Sequence, residues 1–128
     1  MNEFEVLNRI FDWQLYSISK GLTHEKLDRG VFLLELEKVK EWKSKFGYEF
    51  SVYSNDHLIN GEPHFHFDHK EKNVACKISF SGEIFESTGE SELNSKTLKE
   101  LKYFLSKDEH KRKLVNFWNN KNPELKVE

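Results

Sequence analysis

Four of the six histidines fall within a stretch of 13 residues: His57, His64, His66 and His69. Side chains two residues apart in a β-strand project from the same face, so an extended segment places His64 and His66 side by side, with Phe65 on the opposite face. Two neighbouring imidazoles can bind one metal ion. A third imidazole from His57, in the preceding loop, gives three nitrogens and an open position, which is the arrangement of catalytic zinc.

We therefore predict a ligand-binding site formed by Asp56, His57, His64 and His66, in which His57, His64 and His66 are the metal ligands. Imidazole binds zinc, nickel, copper and iron, so the expected cofactor is a divalent transition metal such as zinc, and its identity stays open. Two other interpretations stay open as well. The histidines can simply form a solvated strand face, or His57, oriented by Asp56, can act as a general base without metal.

The rest of the sequence contains no phosphate-binding glycine loop, CxxC pair, GxSxG motif or HExxH motif. Cys76 lies in a predicted strand and is expected to be a structural thiol. A single cysteine and the lack of a visible secretory signal favour a cytoplasmic protein. No apolar run reaches the roughly 18 residues of a membrane-spanning helix, so we expect no membrane association. The isolated His24 and His110, and His69 at a strand end, are expected at the surface.

A predicted antiparallel sheet positions the histidines. Alternation of polar and apolar residues predicts strands at 48–54, 63–68, 74–80 and 83–86, with turn formers between them. Helical spacing predicts helices at 4–18, ended by Gly21, at 32–46, at 95–105, and after a cap at Asp108. The apolar run that begins at Val31 is equally compatible with a strand.

The order of these elements predicts an α+β fold, namely a four-stranded antiparallel meander with N-terminal and C-terminal helices packed on one face, the phenylalanine face. The chain has 37% hydrophobic residues, and its length fits one domain over residues 1–128. We divide this domain into a helical N-terminal extension (1–46), a core of sheet and helices (47–120) and a polar tail (121–128).

The net charge of −2 conceals a basic C-terminal end, since residues 95–128 carry nine basic and five acidic side chains. Most of these basic residues lie in the predicted helices or in the short link between them: Lys96, Lys99, Lys102, Lys107, Lys111, Arg112 and Lys113. A basic surface can bind nucleic acid or an acidic partner protein. The commoner interpretation is a solvated helix face, because nucleic-acid-binding domains usually have a pI above about 9, whereas this chain has a pI of about 6.3.

The segment Tyr53-Ser54-Asn55-Asp56-His57, followed by Pro63-His64-Phe65-His66, resembles the signature of a family of small bacterial proteins, domain of unknown function 4160. The resemblance covers about residues 47–120 and includes a closing helix with Trp118. The loop between His57 and Pro63 is longer than that of the family. The resemblance implies a candidate site at Asp56, His57, His64 and His66, and a link to bacterial gene pairs suspected of toxin–antitoxin function. No established activity follows from this resemblance.

These observations give three hypotheses for function. The first is a small domain that binds a metal or a polar ligand through its histidines. The second is a toxin–antitoxin-type module that contacts a partner protein or nucleic acid through the basic C-terminal helices. The third is a small metal-dependent hydrolase or nuclease, with imidazoles as ligands and an acid as base. The sequence does not decide between an enzyme and a binding protein.

Overall fold

The structure is a computed structural model that describes residues 3–27 and 44–127. The predicted helix at 32–46, and with it the alternative of a strand at Val31, lies mostly outside these residues. The described end of that segment, at residues 45 and 46, is a bend rather than a helix.

The described elements are helices near both ends of the chain with one sheet between them, as predicted. In chain order they are α1 (Glu3–Ser19), the short turn α2 (His24–Lys26), β1 (Glu49–Ser51), β2 (His64–His69), β3 (Val74–Ser79), β4 (Ile84–Ser87), α3 (Ser95–Leu105), α4 (Asp108–Lys121) and a 3-10 turn (Pro123–Leu125). Neighbouring strands pair antiparallel in the order β1-β2-β3-β4. The predicted α+β fold with an antiparallel meander is confirmed. None of the helices in the described ranges is both long and apolar enough to cross a bilayer.

Helix α1 forms because apolar residues recur every three or four positions and share one buried face, as at Leu7, Phe11 and Leu15. The helix ends at Gly21, which has the left-handed φ of 94° that the sequence predicts. The backbone N–H of Leu22 then donates to the carbonyl of Ser17 at 3.0 Å, which satisfies one of the last carbonyls of the helix.

Aromatic rings fill the space between the sheet and the helices. Phe65 and Phe67 of β2 are fully buried. The ring of Phe11 in α1 lies 5.7 Å from that of Phe50, 5.6 Å from that of Phe67 and 5.3 Å from that of Phe104 in α3. Helices α1 and α3 therefore pack on the phenylalanine face of the sheet, as predicted.

The C-terminal helices begin differently from one another. The Asn94 side chain caps α3 by accepting the Thr97 backbone N–H at 2.7 Å, as its position before the helix predicts. The predicted cap of α4, Asp108, is instead its first helical residue, and Lys107 occupies the cap position without a side-chain hydrogen bond. Asp108 still stabilises this end because its charge complements the helix dipole.

Cys76 lies in the middle of β3 and is only 2% exposed. Burial raises the pKa of its thiol, because the charged thiolate is disfavoured away from water. Both properties are those of the structural thiol that the sequence predicts.

Candidate metal centre

The segment that carries the two neighbouring histidines is a β-strand, so His64 and His66 project from the face opposite Phe65 and Phe67. Their Nε2 atoms both lie 3.1 Å from the same oxygen, Oδ2 of Asp56. The strand thus presents two imidazole nitrogens to one carboxylate oxygen.

Asp56 reaches the strand from the loop that follows β1. Asn55 turns this loop with a left-handed φ of 56°. The second carboxylate oxygen, Oδ1, accepts the backbone N–H of His57 at 2.9 Å. The backbone N–H of Asp56 itself donates to Oδ1 of Asn122 at 2.8 Å, and Nδ2 of Asn122 donates to the Tyr53 carbonyl at 3.0 Å. Sequence analysis missed Asn122, since it lies far along the chain and no motif marks it.

His64 is fully buried, and neither of its ring nitrogens makes a hydrogen bond. Its Nε2 is close to Asp56 Oδ2, but the two groups are not aligned as a hydrogen bond requires. The indole ring of Trp118 in α4 contacts the imidazole, with ring centroids 5.6 Å apart. A buried polar group without a partner costs about 1–3 kcal/mol of stability. The unpaired His64 imidazole therefore destabilises the fold as it stands.

The spacing of the three side chains fits a metal ion. One ligand atom from each of Asp56, His64 and His66 lies within 4.8 Å of the others, and no other such group of His, Cys, Asp or Glu occurs in residues 3–27 and 44–127. Two atoms bound to zinc at about 2.0–2.1 Å with tetrahedral geometry lie about 3.3 Å apart. The observed separation of 3.1 Å between each imidazole nitrogen and the carboxylate oxygen is close to that value.

His64 and Asp56 are each in the protonation state that a metal ligand needs. Burial lowers the pKa of His64, because it penalises the charged imidazolium, so the ring is neutral at pH 7. Burial works to raise the pKa of Asp56, but hydrogen bonds from His66 and from the His57 backbone outweigh it, so the pKa lies below its usual value. The group therefore combines neutral imidazole with ionised carboxylate.

The ring of His57 does not join this group, in contrast to the predicted set of three histidines. Its side chain is 69% exposed, and its Nδ1 lies 3.3 Å from Oδ1 of Asp56, whereas the other two imidazoles contact Oδ2. The backbone N–H of His57 holds Oδ1 of Asp56 in place, and the His57 ring points toward solvent. Asp56, and not the His57 ring, is the third member of the group whose spacing fits a metal ion.

Tyr53 borders the site and was also missed. It is 50% exposed, and its ring stacks on that of His66 with centroids 4.0 Å apart and an angle of 27°. The His66 side chain is 13% exposed, so the cluster lies just beneath the surface.

The remaining histidines are structural. His69 is buried, with Nε2 on the carbonyl of Phe46, and His110 is buried, with Nδ1 donating to the Phe104 carbonyl at 2.8 Å. The prediction that these two are exposed was wrong, because neighbouring loops and helices cover them. His24 is partly exposed and hydrogen-bonds to Glu100 at 2.8 Å.

The basic C-terminal residues lie mainly at the surface of α3 and α4. Lys96, Lys99, Lys102, Arg112 and Lys113 are exposed, whereas Lys107 is half-buried with its ammonium 4.9 Å from the centre of the Tyr103 ring. This distribution is that of solvated helix faces, and binding of nucleic acid or a partner protein through them stays a prediction.

Comparisons of the chain with protein-family models, with curated proteins and with solved structures returned no match. The resemblance to domain of unknown function 4160 accordingly stays a prediction.

Proposed function

We propose that this protein is a metal-binding domain that holds one divalent transition-metal ion through Asp56, His64 and His66. The observation that carries the proposal is the fully buried His64 imidazole, which has no hydrogen bond and points Nε2 toward the Asp56 carboxylate. A metal ion between them would give this nitrogen the partner that the fold does not supply.

The donor set indicates which ions fit. Calcium and magnesium prefer oxygen ligands, whereas imidazole nitrogen suits zinc, iron, nickel and copper. Two imidazoles and one carboxylate occur both at zinc sites and at non-haem iron sites. We therefore infer a transition metal and take zinc as the first ion to test.

Three protein ligands leave at least one coordination position open, and this supports a second candidate, a metal-dependent hydrolase or nuclease. A metal ion there would lower the pKa of a bound water, so that the water could lose a proton near neutral pH and attack an ester or phosphodiester as hydroxide. Hydrolysis of bis(p-nitrophenyl) phosphate by zinc-loaded protein, absent in Asp56→Asn, would support this candidate. No turnover by the loaded wild type would leave a binding domain.

The proposed site is tested by metal binding to protein purified without a histidine tag. After removal of bound metal with a chelator, the wild type should take up one equivalent of Co²⁺ or Zn²⁺, measured by visible absorption for Co²⁺ and by elemental analysis for Zn²⁺. The variants Asp56→Asn and His66→Ala should lose this uptake.

His57→Ala is the discriminating variant, since its ring lies beside the site but outside the ligand group. It should retain uptake of one equivalent. Loss of uptake in His57→Ala together with retention in Asp56→Asn would restore the set of three histidines and overturn the ligand set proposed here. No uptake by the wild type would overturn the function itself.

A further inference from the structure

We propose that Asn122 is a positioning residue of the metal site and that its side-chain amide holds the Asp56 loop in the conformation that binds the ion. This inference rests on the proposed metal-binding function. Asn122 does not touch the ion; it acts through the backbone of the residue that does.

Both ends of the Asn122 amide are used on that loop. Its Oδ1 accepts the backbone N–H of Asp56 at 2.8 Å, and its Nδ2 donates to the carbonyl of Tyr53 at 3.0 Å. The side chain is buried, with only 4% of the residue exposed. A buried amide with both ends paired fixes the distance and orientation of the two backbone groups it joins.

The loop turns sharply between the two residues that Asn122 tethers. Asn55, which lies between them, has a φ of 56°, a left-handed conformation that asparagine adopts more readily than other residues with a side chain. The hydrogen bond from His57 N–H to Asp56 Oδ1 orients the carboxylate relative to its own loop but not relative to β2. His66 bonds the carboxylate from β2 through its own candidate ligand atom, Nε2, whereas Asn122 anchors the loop from the end of α4 without using a candidate ligand atom.

The same helical turn also fixes the other side of the site. The backbone N–H of Asn122 donates to the carbonyl of Trp118 at 2.7 Å, so these two residues are held together at the end of α4. Trp118 packs on the ring of His64, while Asn122 tethers the loop of Asp56. The end of α4 thereby sets the separation between the carboxylate and the buried imidazole.

Hydrogen-bonded partners of metal ligands typically contribute 10- to 100-fold to metal affinity. We expect Asn122→Ala to weaken Co²⁺ binding by about 10-fold or more, because the carboxylate would no longer be preorganised. Asn122→Ser, whose hydroxyl can pair with one of the two backbone groups, should show a smaller loss and is the milder variant should the alanine variant fail to fold.

Asn119→Ala is the matched control. Asn119 is on the same helix and likewise makes two hydrogen bonds to backbone, but both go to Val127 in the C-terminal tail, with distances of 2.9 and 2.8 Å. Its replacement should lower thermal stability comparably and leave the dissociation constant for Co²⁺ within about twofold of the wild type.

The experiment titrates metal-free wild type, Asn122→Ala, Asn122→Ser and Asn119→Ala with Co²⁺, and records the thermal unfolding of each. Weaker binding confined to the Asn122 variants supports the positioning role. Unchanged affinity in folded Asn122 variants, or an equal loss in Asn119→Ala, overturns it while leaving the metal site in place. No Co²⁺ binding by the wild type overturns the proposed function and this inference together.

Discussion

Nε2 of His64 and Oδ2 of Asp56 lie 3.1 Å apart in the interior of the protein without forming a hydrogen bond. His66 approaches the same oxygen at the same distance and does form one. Two imidazoles therefore compete for one oxygen, and the more deeply buried of them is left unpaired. This arrangement stabilises the fold less than an apolar side chain in place of His64 would.

We predict that His64→Leu stabilises the metal-free protein while it abolishes metal binding. An apolar side chain of similar size removes the cost of the unpaired imidazole, so the free energy of unfolding in urea should rise by about 1 kcal/mol. His69→Leu is the comparison, because His69 is also buried in β2 but both of its ring nitrogens are paired. That variant should instead lose about 1–3 kcal/mol. Equal destabilisation in both variants would mean that the His64 ring has a native hydrogen-bond partner.

We predict that the bound ion stabilises the folded state. A ligand that binds only the folded protein adds about 2.7 kcal/mol at a free concentration 100 times its dissociation constant. Zn²⁺ should therefore raise the midpoint of thermal unfolding, and a chelator should reverse the change. The response should disappear in Asp56→Asn. A rise of the same size in that variant would point to zinc binding elsewhere on the chain.

The face on which each histidine of β2 lies could be predicted from sequence, because side chains alternate along a strand whatever surrounds it. What covers that face could not be predicted. His64 is buried partly by Trp118, which is distant in the sequence and which the family resemblance places only in a closing helix. The same limit explains why His69 and His110 were wrongly predicted to be exposed. Their carbonyl partners, Phe46 and Phe104, belong to other segments of the chain.

The presence of Asp56, and not the His57 ring, in the group with His64 and His66 has a related cause. Proximity in sequence suggests both residues equally, and only the path of the loop decides which side chain turns inward. That path depends on the left-handed Asn55 and on the tether from Asn122, and neither produces a recognisable spacing.

We predict that Asn55→Ala weakens metal binding and destabilises the protein by about 1 kcal/mol, since alanine tolerates a left-handed φ less well than asparagine. Asn55→Gly should retain both properties. Asn73 provides the control, because its φ of 55° is nearly the same as the 56° of Asn55 but it lies in the turn between β2 and β3. Asn73→Ala should lose similar stability in urea unfolding and keep its affinity for Co²⁺. A similar loss of affinity in both alanine variants would argue against a local effect at the site.

We predict that buried His110 makes stability depend on pH. Burial lowers the pKa of His110 in the folded protein below the usual histidine value of 6.5. As the pH falls below about 6.5, the unfolded chain therefore takes up a proton that the folded chain does not, and stability is lost down to the folded pKa. The contribution is fully present above pH 6.5.

The variant His110→Phe isolates this effect, because phenylalanine can keep the stacking on Phe104 but cannot titrate. Between pH 8 and pH 5, the free energy of unfolding of the wild type should fall relative to that of the variant. A difference that is constant with pH would show that His110 has the same proton affinity in both states.

The burial of Cys76 also makes its thiol a probe of how often the folded protein opens locally. This thiol meets an alkylating or disulfide reagent only when the packing over the phenylalanine face opens, so the rate of labelling in native buffer measures how often that packing opens. Because that cysteine lies on the phenylalanine side of the strand, an ion held by the histidines on the other side should slow the labelling without ever bonding to sulfur.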